Sequence, residues 1–91
     1  FPAPCNNPRV IIDGLTTVTA LAGDDNGVYV SDDSGGAVFG CSDTKLGCGT
    51  TPTTMATDLS HPRGIAIDNK FIFVAQSGAA ANTGKVTRIV R

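Results

Sequence analysis

The sequence predicts an all-β chain made of two copies of one strand-rich module. Three observations carry this. No segment shows a sustained apolar period of 3.6 residues, whereas short apolar runs are bounded by Gly, Asn, Asp, Ser and Pro. Asp-Asp-Asn-Gly at 24–27 and Asp-Asn-Lys at 68–70 carry tight-hairpin chemistry, because Asn, Asp and Gly tolerate positive φ. Most decisive, the chain matches itself when slid by 44 residues.

Under that shift LTTVTALAGDDNGVYVSD (Leu15 to Asp32) lies on LSHPRGIAIDNKFIFVAQ (Leu59 to Gln76) without a gap. Leu21 meets Ile65, Asp24 meets Asp68, Val28 meets Ile72, Tyr29 meets Phe73 and Val30 meets Val74. After a gap of four residues, GGAVFG (Gly35 to Gly40) lies on TGKVTR (Thr83 to Arg88). The matched positions are apolar ones and a turn Asp, the positions that a shared fold constrains. A period in the low forties suits one four-stranded β-propeller blade.

The elements follow in chain order. Arg9 to Asp13 reads as an outer strand, since CNNPRVIIDGL (Cys5 to Leu15) parallels CGTTPTTMATDL (Cys48 to Leu59). Val18 to Ala22, Gly27 to Ser31 and Ala37 to Cys41 read as three strands of a blade, and Thr53 to Thr57 as its outer strand. Gly64 to Asp68, Phe71 to Ala75 and Lys85 to Val90 repeat the first three. The expected layout is therefore 1–15 as the outer strand of a preceding or shared blade, 16–59 as a blade, and 60–91 as a blade lacking its outer strand. About two antiparallel blades form part of a larger closed propeller on this reading. Two blades cannot close a ring, and their open faces and edges expose apolar surface. Arg9, Val10, Ile11 and Ile12 are thus expected to complete a neighbour's sheet beside Lys85, Val86, Ile89 and Val90, from further blades or from copies of the chain.

The stretch CSDTKLGCGTTPTTMATDLSHPRGIAID (Cys41 to Asp68) resembles the cysteine-bracketed propeller repeats of secreted or envelope proteins of myxobacteria and their relatives. Within it, Pro-Arg-Gly-Ile-Ala-Ile-Asp at 62–68 is similar to the NHL and gluconolactonase-like propeller repeat. The first module departs from that pattern, with Thr-Val-Thr-Ala-Leu-Ala-Gly at 17–23, and no Trp occurs anywhere. The resemblance implies a secreted or cell-envelope β-propeller. It implies little about activity, because one fold hosts many functions.

Chemistry-bearing residues are few. Cys41 and Cys48 read as a disulfide across the loop between the third and fourth strands, which would place the chain in an oxidising compartment. Free thiols and a metal pair are the alternatives, and for a metal no Cys or His cluster completes four ligands, His61 being the single His. Cys5 is the odd cysteine, unpaired or bonded to another chain. Asp-Asp-Ser at 32–34 is the place to look for calcium, with Asp32 and Asp33 as weak oxygen ligands; otherwise no cofactor is implied. Asp-Ser-Gly-Gly at 33–36 matches a serine-protease motif, but no His precedes Ser34 to act as base. No residue is assigned a catalytic role. Glu is wholly absent, so the metal site of lactonase-like propellers has no counterpart here. His61, ahead of Pro62, reads as an extended loop residue. For Arg63, Arg88 and Arg91 the sequence does not choose between solvent and interface.

With formal net charge -1 and no basic run, a nucleic-acid partner is not expected, and the apolar runs are far too short to span a membrane. The expected role is a non-enzymatic structural or interaction module. The alternative is a carbohydrate- or other ligand-binding propeller, and the less favoured one a lactonase-like enzyme fragment.

Overall fold

A computed structural model describes residues 10–42, 47–78 and 80–91. Seven strands form among them: β1 (Val18–Asp24), β2 (Gly27–Asp32), β3 (Ala37–Cys41), β4 (Thr53–Ala56), β5 (Pro62–Ile67), β6 (Phe71–Gln76) and β7 (Lys85–Val90). They make two antiparallel sheets, β1-β2-β3-β4 and β5-β6-β7, each with neighbours in chain order. Tight turns at 25–26, 33–36 and 68–70 join neighbouring strands directly, and the longer 42–52 and 77–84 connections keep the same antiparallel order.

The repeat read from sequence is a repeat of register. In the first sheet Gly23 pairs with Val28, Ala22 with Tyr29 and Leu21 with Val30. In the second, Ile67 pairs with Ile72, Ala66 with Phe73 and Ile65 with Val74, the same partners 44 residues on. Even the irregularity recurs, between Val18 and Ala20 in β1 and between Pro62 and Gly64 in β5. The next pairing repeats after the four-residue insertion, with Val38 opposite Ser31 and Val86 opposite Ala75.

Turns repeat with the strands. The Asp24 carboxylate accepts from the Asn26 amide at 2.8 Å, and the Asp68 carboxylate accepts from the Lys70 amide at 2.8 Å. Gly14 and Asp58, also 44 apart, both take left-handed φ, at 78° and 59°. Gly36 is left-handed as well, and a Cβ there would stand 2.5 Å from the Leu59 carbonyl oxygen. That close approach lets the Leu59 amide donate to the Gly36 carbonyl at 2.8 Å, fastening the entry of the second module to a turn of the first.

The core lies between the sheets. Val38, Ile72 and Val74 are fully buried, with Tyr29, Met55, Leu59, Ile65, Ile67 and Ile89 packed around them. Val38 and Tyr29 stand on one face of the first sheet, whereas Ile65, Ile72 and Val74 stand on the opposite face of the second. Strand alternation sorts side chains this way, and both faces of each sheet are largely apolar.

One expected element takes another form. Over its described part, Val10 to Asp13 does not join an antiparallel ladder as the outer strand read from sequence would. A single parallel bridge links Ile12 to Gly49, and the Ile11 carbonyl accepts from the Cys48 and Gly49 amides at 2.6 and 3.1 Å. Within the chain, the outer edge of β3 is already taken by β4. The segment therefore lies as a strap beside the 47–49 loop. Arg9 lies outside the described residues.

Val38 and Val86 occupy the same repeat position, yet Val38 is 0% exposed and Val86 71%. Val38→Ala is therefore expected to destabilise the chain by about 2 kcal/mol, from lost methyl burial plus a residual cavity, and Val86→Ala by little. Urea unfolding of both variants at high dilution checks the difference.

Candidate interaction site

Each sheet has two faces, named here by the repeat. Face A carries Leu21, Val28 and Val30 in the first sheet and Ile65, Ile72 and Val74 in the second. Face B carries Tyr29 and Val38 in the first, and Phe73, Val86 and Val90 in the second. The contact within the chain joins face B of the first sheet to face A of the second. Face A of the first sheet and face B of the second are thus left at the two ends.

Both end faces are apolar. An open cavity of about 250 Å³ lies on face A of the first sheet, lined by Val18, Leu21, Val28 and Val30 together with Ile11 of the strap and Leu15 just after it. Leu21 is 67% exposed there. On face B of the second sheet Val86 and Val90 are both 71% exposed. Beside them the Phe71 and Phe73 rings pack tilted at 57° with centroids 6.2 Å apart, and the Arg88 guanidinium sits 4.4 Å over the Phe71 ring.

Polar groups fix how the two sheets meet. The Thr19 hydroxyl donates to the Pro62 carbonyl at 2.8 Å, joining β1 to β5. Arg91 reaches across from the end of β7. Its guanidinium donates twice to the Asp24 carboxylate, at 2.8 and 2.9 Å, and Nε donates to the Tyr29 hydroxyl at 3.1 Å. A fourth hydrogen bond runs to the Asp68 carbonyl. One cation thus ties together the equivalent hairpin turns of both modules, with its side chain only 7% exposed. The Arg91 hydrogen bonds, helped by the Asn26 amide, pull the Asp24 carboxyl from 3.8 to about 2. Asp24 in turn holds Arg91 still more firmly protonated.

Asp32 is buried and serves the backbone. Its carboxylate accepts from the amides of Thr16, Thr17 and Gly35 at 3.0, 3.1 and 3.2 Å, and from the Ser34 hydroxyl at 3.3 Å. The Thr16 amide above all lowers its pKa, as a carboxylate accepting several N–H groups should. Gln76, at the same repeat position, does the same work when its side-chain oxygen accepts from the Ser60 amide at 2.8 Å. Asp33 is turned outward to His61 at 3.3 Å and Arg63 at 3.4 Å, across the junction of the sheets. Among the described residues no three His, Cys, Asp or Glu side chains gather to hold a metal ion. His61 is not the extended residue expected before Pro62; it takes φ 53°, and its carbonyl receives the Ser77 amide at 3.1 Å.

Cys41 and Cys48 form a disulfide, with Cα atoms 5.9 Å apart. The Cys48 amide also holds the strap at Ile11, so the bridge and the strap are neighbours. Cys5 lies outside the described residues. Of the expected assembly positions, Val10, Ile11 and Ile12 lie on the strap, while Lys85, Val86, Ile89 and Val90 lie on β7, an edge strand among the described residues. The chain itself does not bring the two sets together. Alternation on β7 further separates Ile89, packed on the core, from exposed Val86 and Val90.

Two features escaped the sequence reading. Asp32 over Gln76 in the repeat was a legible signal, two side-chain acceptors at one position. Arg91 left none, since its partners lie far off in the chain. No protein-family model, curated protein or solved structure matches the chain.

Asp24 has a lower pKa folded than unfolded. Its contribution is therefore full above the ordinary value of 3.8 and is lost as pH falls through about 2. Arg91→Lys, which loses the bidentate geometry, is expected to return the Asp24 midpoint toward 3.8, as read by NMR titration of the carboxyl carbon. Asp32→Ala, by orphaning part-buried amides, is expected to cost about 2 kcal/mol in urea unfolding.

Proposed function

We propose that the chain is a pair of consecutive β-propeller blades of the NHL or gluconolactonase-like kind, serving as a non-enzymatic structural and interaction module of a secreted or cell-surface assembly. What supports this most is the face-to-face junction between two sheets of identical register. In it the first strands of the modules, β1 and β5, lie next to each other and are joined through Thr19 and Pro62. Propeller blades stack with their innermost strands adjacent and successive faces in contact. The Cys41–Cys48 bridge is consistent with an oxidising compartment.

A non-enzymatic role agrees with how the polar side chains are used. Asp24, Asp32, Asp68 and Gln76 are spent on turns, strand entries and the sheet junction. The His61 imidazole faces Asp33 at 3.3 Å, and among the described residues no nucleophile hydrogen-bonds it.

The ligand-binding alternative would use the polar cleft between the modules. It is lined by Ser34, Asp58, Ser60 and His61, with a volume of about 500 Å³. Its lining lacks the aromatic platform on which sugars stack, and this favours the structural reading.

The blade reading is tested by NMR contacts in solution. Methyl contacts from Val38 to Ile72 and Val74 are expected, and their absence from a folded chain would refute the stacked-blade arrangement. Reduction of the Cys41–Cys48 bridge, which closes a short loop, is expected to lower stability by about 2–3 kcal/mol in urea with and without reductant.

A further inference from the structure

We propose that the two end faces are complementary halves of one heterologous interface, and that their partner is a second copy of this chain. The proposal rests on the blade reading above. The contact already made inside the chain serves as its template. There, face B of the first sheet (Tyr29, Val38) covers face A of the second (Ile65, Ile72, Val74). The repeat transfers each half to an end of the molecule. Phe73 and Val86 of the second sheet stand where Tyr29 and Val38 stand, and Leu21, Val28 and Val30 of the first stand where Ile65, Ile72 and Val74 stand. The 91-residue polypeptide therefore carries both the knob and the socket.

Burial follows this division. Val38, inside the junction, is 0% exposed while its repeat equivalent Val86 is 71% exposed; on face A, half-buried Ile65 has Leu21 at 67% as its equivalent, whereas Val30, equivalent to buried Val74, is itself only 3% exposed. The exposed large hydrophobic side chains among the described residues are Val10, Val18, Leu21, Val86 and Val90. Every one of them lies on the strap or on one of the two end faces. Apolar exposure confined to two mutually complementary patches marks an interaction surface rather than scattered surface residues.

The strap completes the fit. Ile11 and Leu15 correspond to Met55 and Leu59, which pack over face A of the second sheet. In the same way, Ile11 and Leu15 line the cavity on face A of the first sheet. Seated in that cavity, the second sheet of another copy brings its β7 edge alongside the strap. The template pairs Ala56 with Val38 and Thr54 with Phe39. Its equivalents set Ile12 against Val86 and Val10 against Thr87 of the arriving copy, so the strap becomes the fourth strand of that copy's sheet. Because the two surfaces differ, the contact propagates head to tail, giving a ring if the rotation closes and an open chain if it does not.

The test uses the 91-residue chain and two charge variants at exposed positions, Leu21→Asp on face A and Val86→Asp on face B. Native mass measurement over a concentration series is expected to show self-association of the unaltered chain. Each variant alone is expected to associate about tenfold or more weakly, since a lone charge must be desolvated in the junction. An equimolar mixture of the two is expected to regain association as a one-to-one pair. The Leu21→Asp copy keeps face B and the Val86→Asp copy keeps face A. An unaltered chain that stays monomeric to about 1 mM overturns the proposal. So does a mixture no stickier than its components, or an effect of only one variant, as a symmetric contact would give. Retained Val38–Ile72 contacts in a monomeric chain would leave the blade reading standing, while their loss would remove that reading as well.

Discussion

Both sheets of this chain are apolar on both faces, and two such sheets can cover only one face each. That constraint governs the rest of the molecule. The junction of Val38 and Tyr29 with Ile65, Ile72 and Val74 removes two of the four faces from water. Burial of this kind, at roughly 25 cal/mol per Å², is the main favourable contribution to holding the sheets together. The aromatic share of the sequence is only 5%, so aliphatic side chains have to supply most of it. The remaining two faces keep their Val, Leu and Phe side chains. Leu21, Val86 and Val90 on them are more than half exposed, and stacked repeats meet such exposure by covering each end with another unit.

The polar groups set the geometry of that stacking rather than its strength. Asp32 and Gln76 hold the entry into β1 and β5 from the far ends of β2 and β6, so each module's first strand starts at a defined height. The Gly36–Leu59 hydrogen bond then fixes where the second module begins relative to the first. At the opposite end Arg91 ties the Asp24 and Asp68 hairpins together. A planar guanidinium on a carboxylate, with a tyrosine ring 5.0 Å beneath it, is directional in a way that aliphatic packing is not. The apolar junction thus supplies cohesion, and the Gly36–Leu59, Thr19–Pro62 and Arg91 hydrogen bonds restrict sliding and rotation between the sheets.

Much of this was legible in the residues. Strand-forming segments are short apolar runs between Asp-, Asn- and Gly-rich turns, and those local signals held for all seven strands within a residue or two. The 44-residue self-match located equivalent positions down to the bulges, because register, once set by a hairpin, propagates through the whole sheet. The Cys41–Cys48 bridge was legible for a similar reason, both cysteines falling at the ends of one loop. Less so was the fate of Val10 to Asp13. Its composition is that of a strand, but a strand needs a partner edge, and among the described residues its backbone bonds to the 47–49 loop instead.

By itself, then, the sequence determined the modules: which residues extend, where they turn, and which pairs share a position in the repeat. These are short-range matters, decided by backbone preference and alternation within about a dozen residues. Only the tertiary structure decided that Val38 is buried while its twin Val86 is bare, that Arg91 joins two turns 67 and 23 residues away, and that Asp33 faces His61. Those outcomes depend on which face of one sheet meets which face of the next. Twin positions have the same local chemistry, so only the order of stacking can tell them apart.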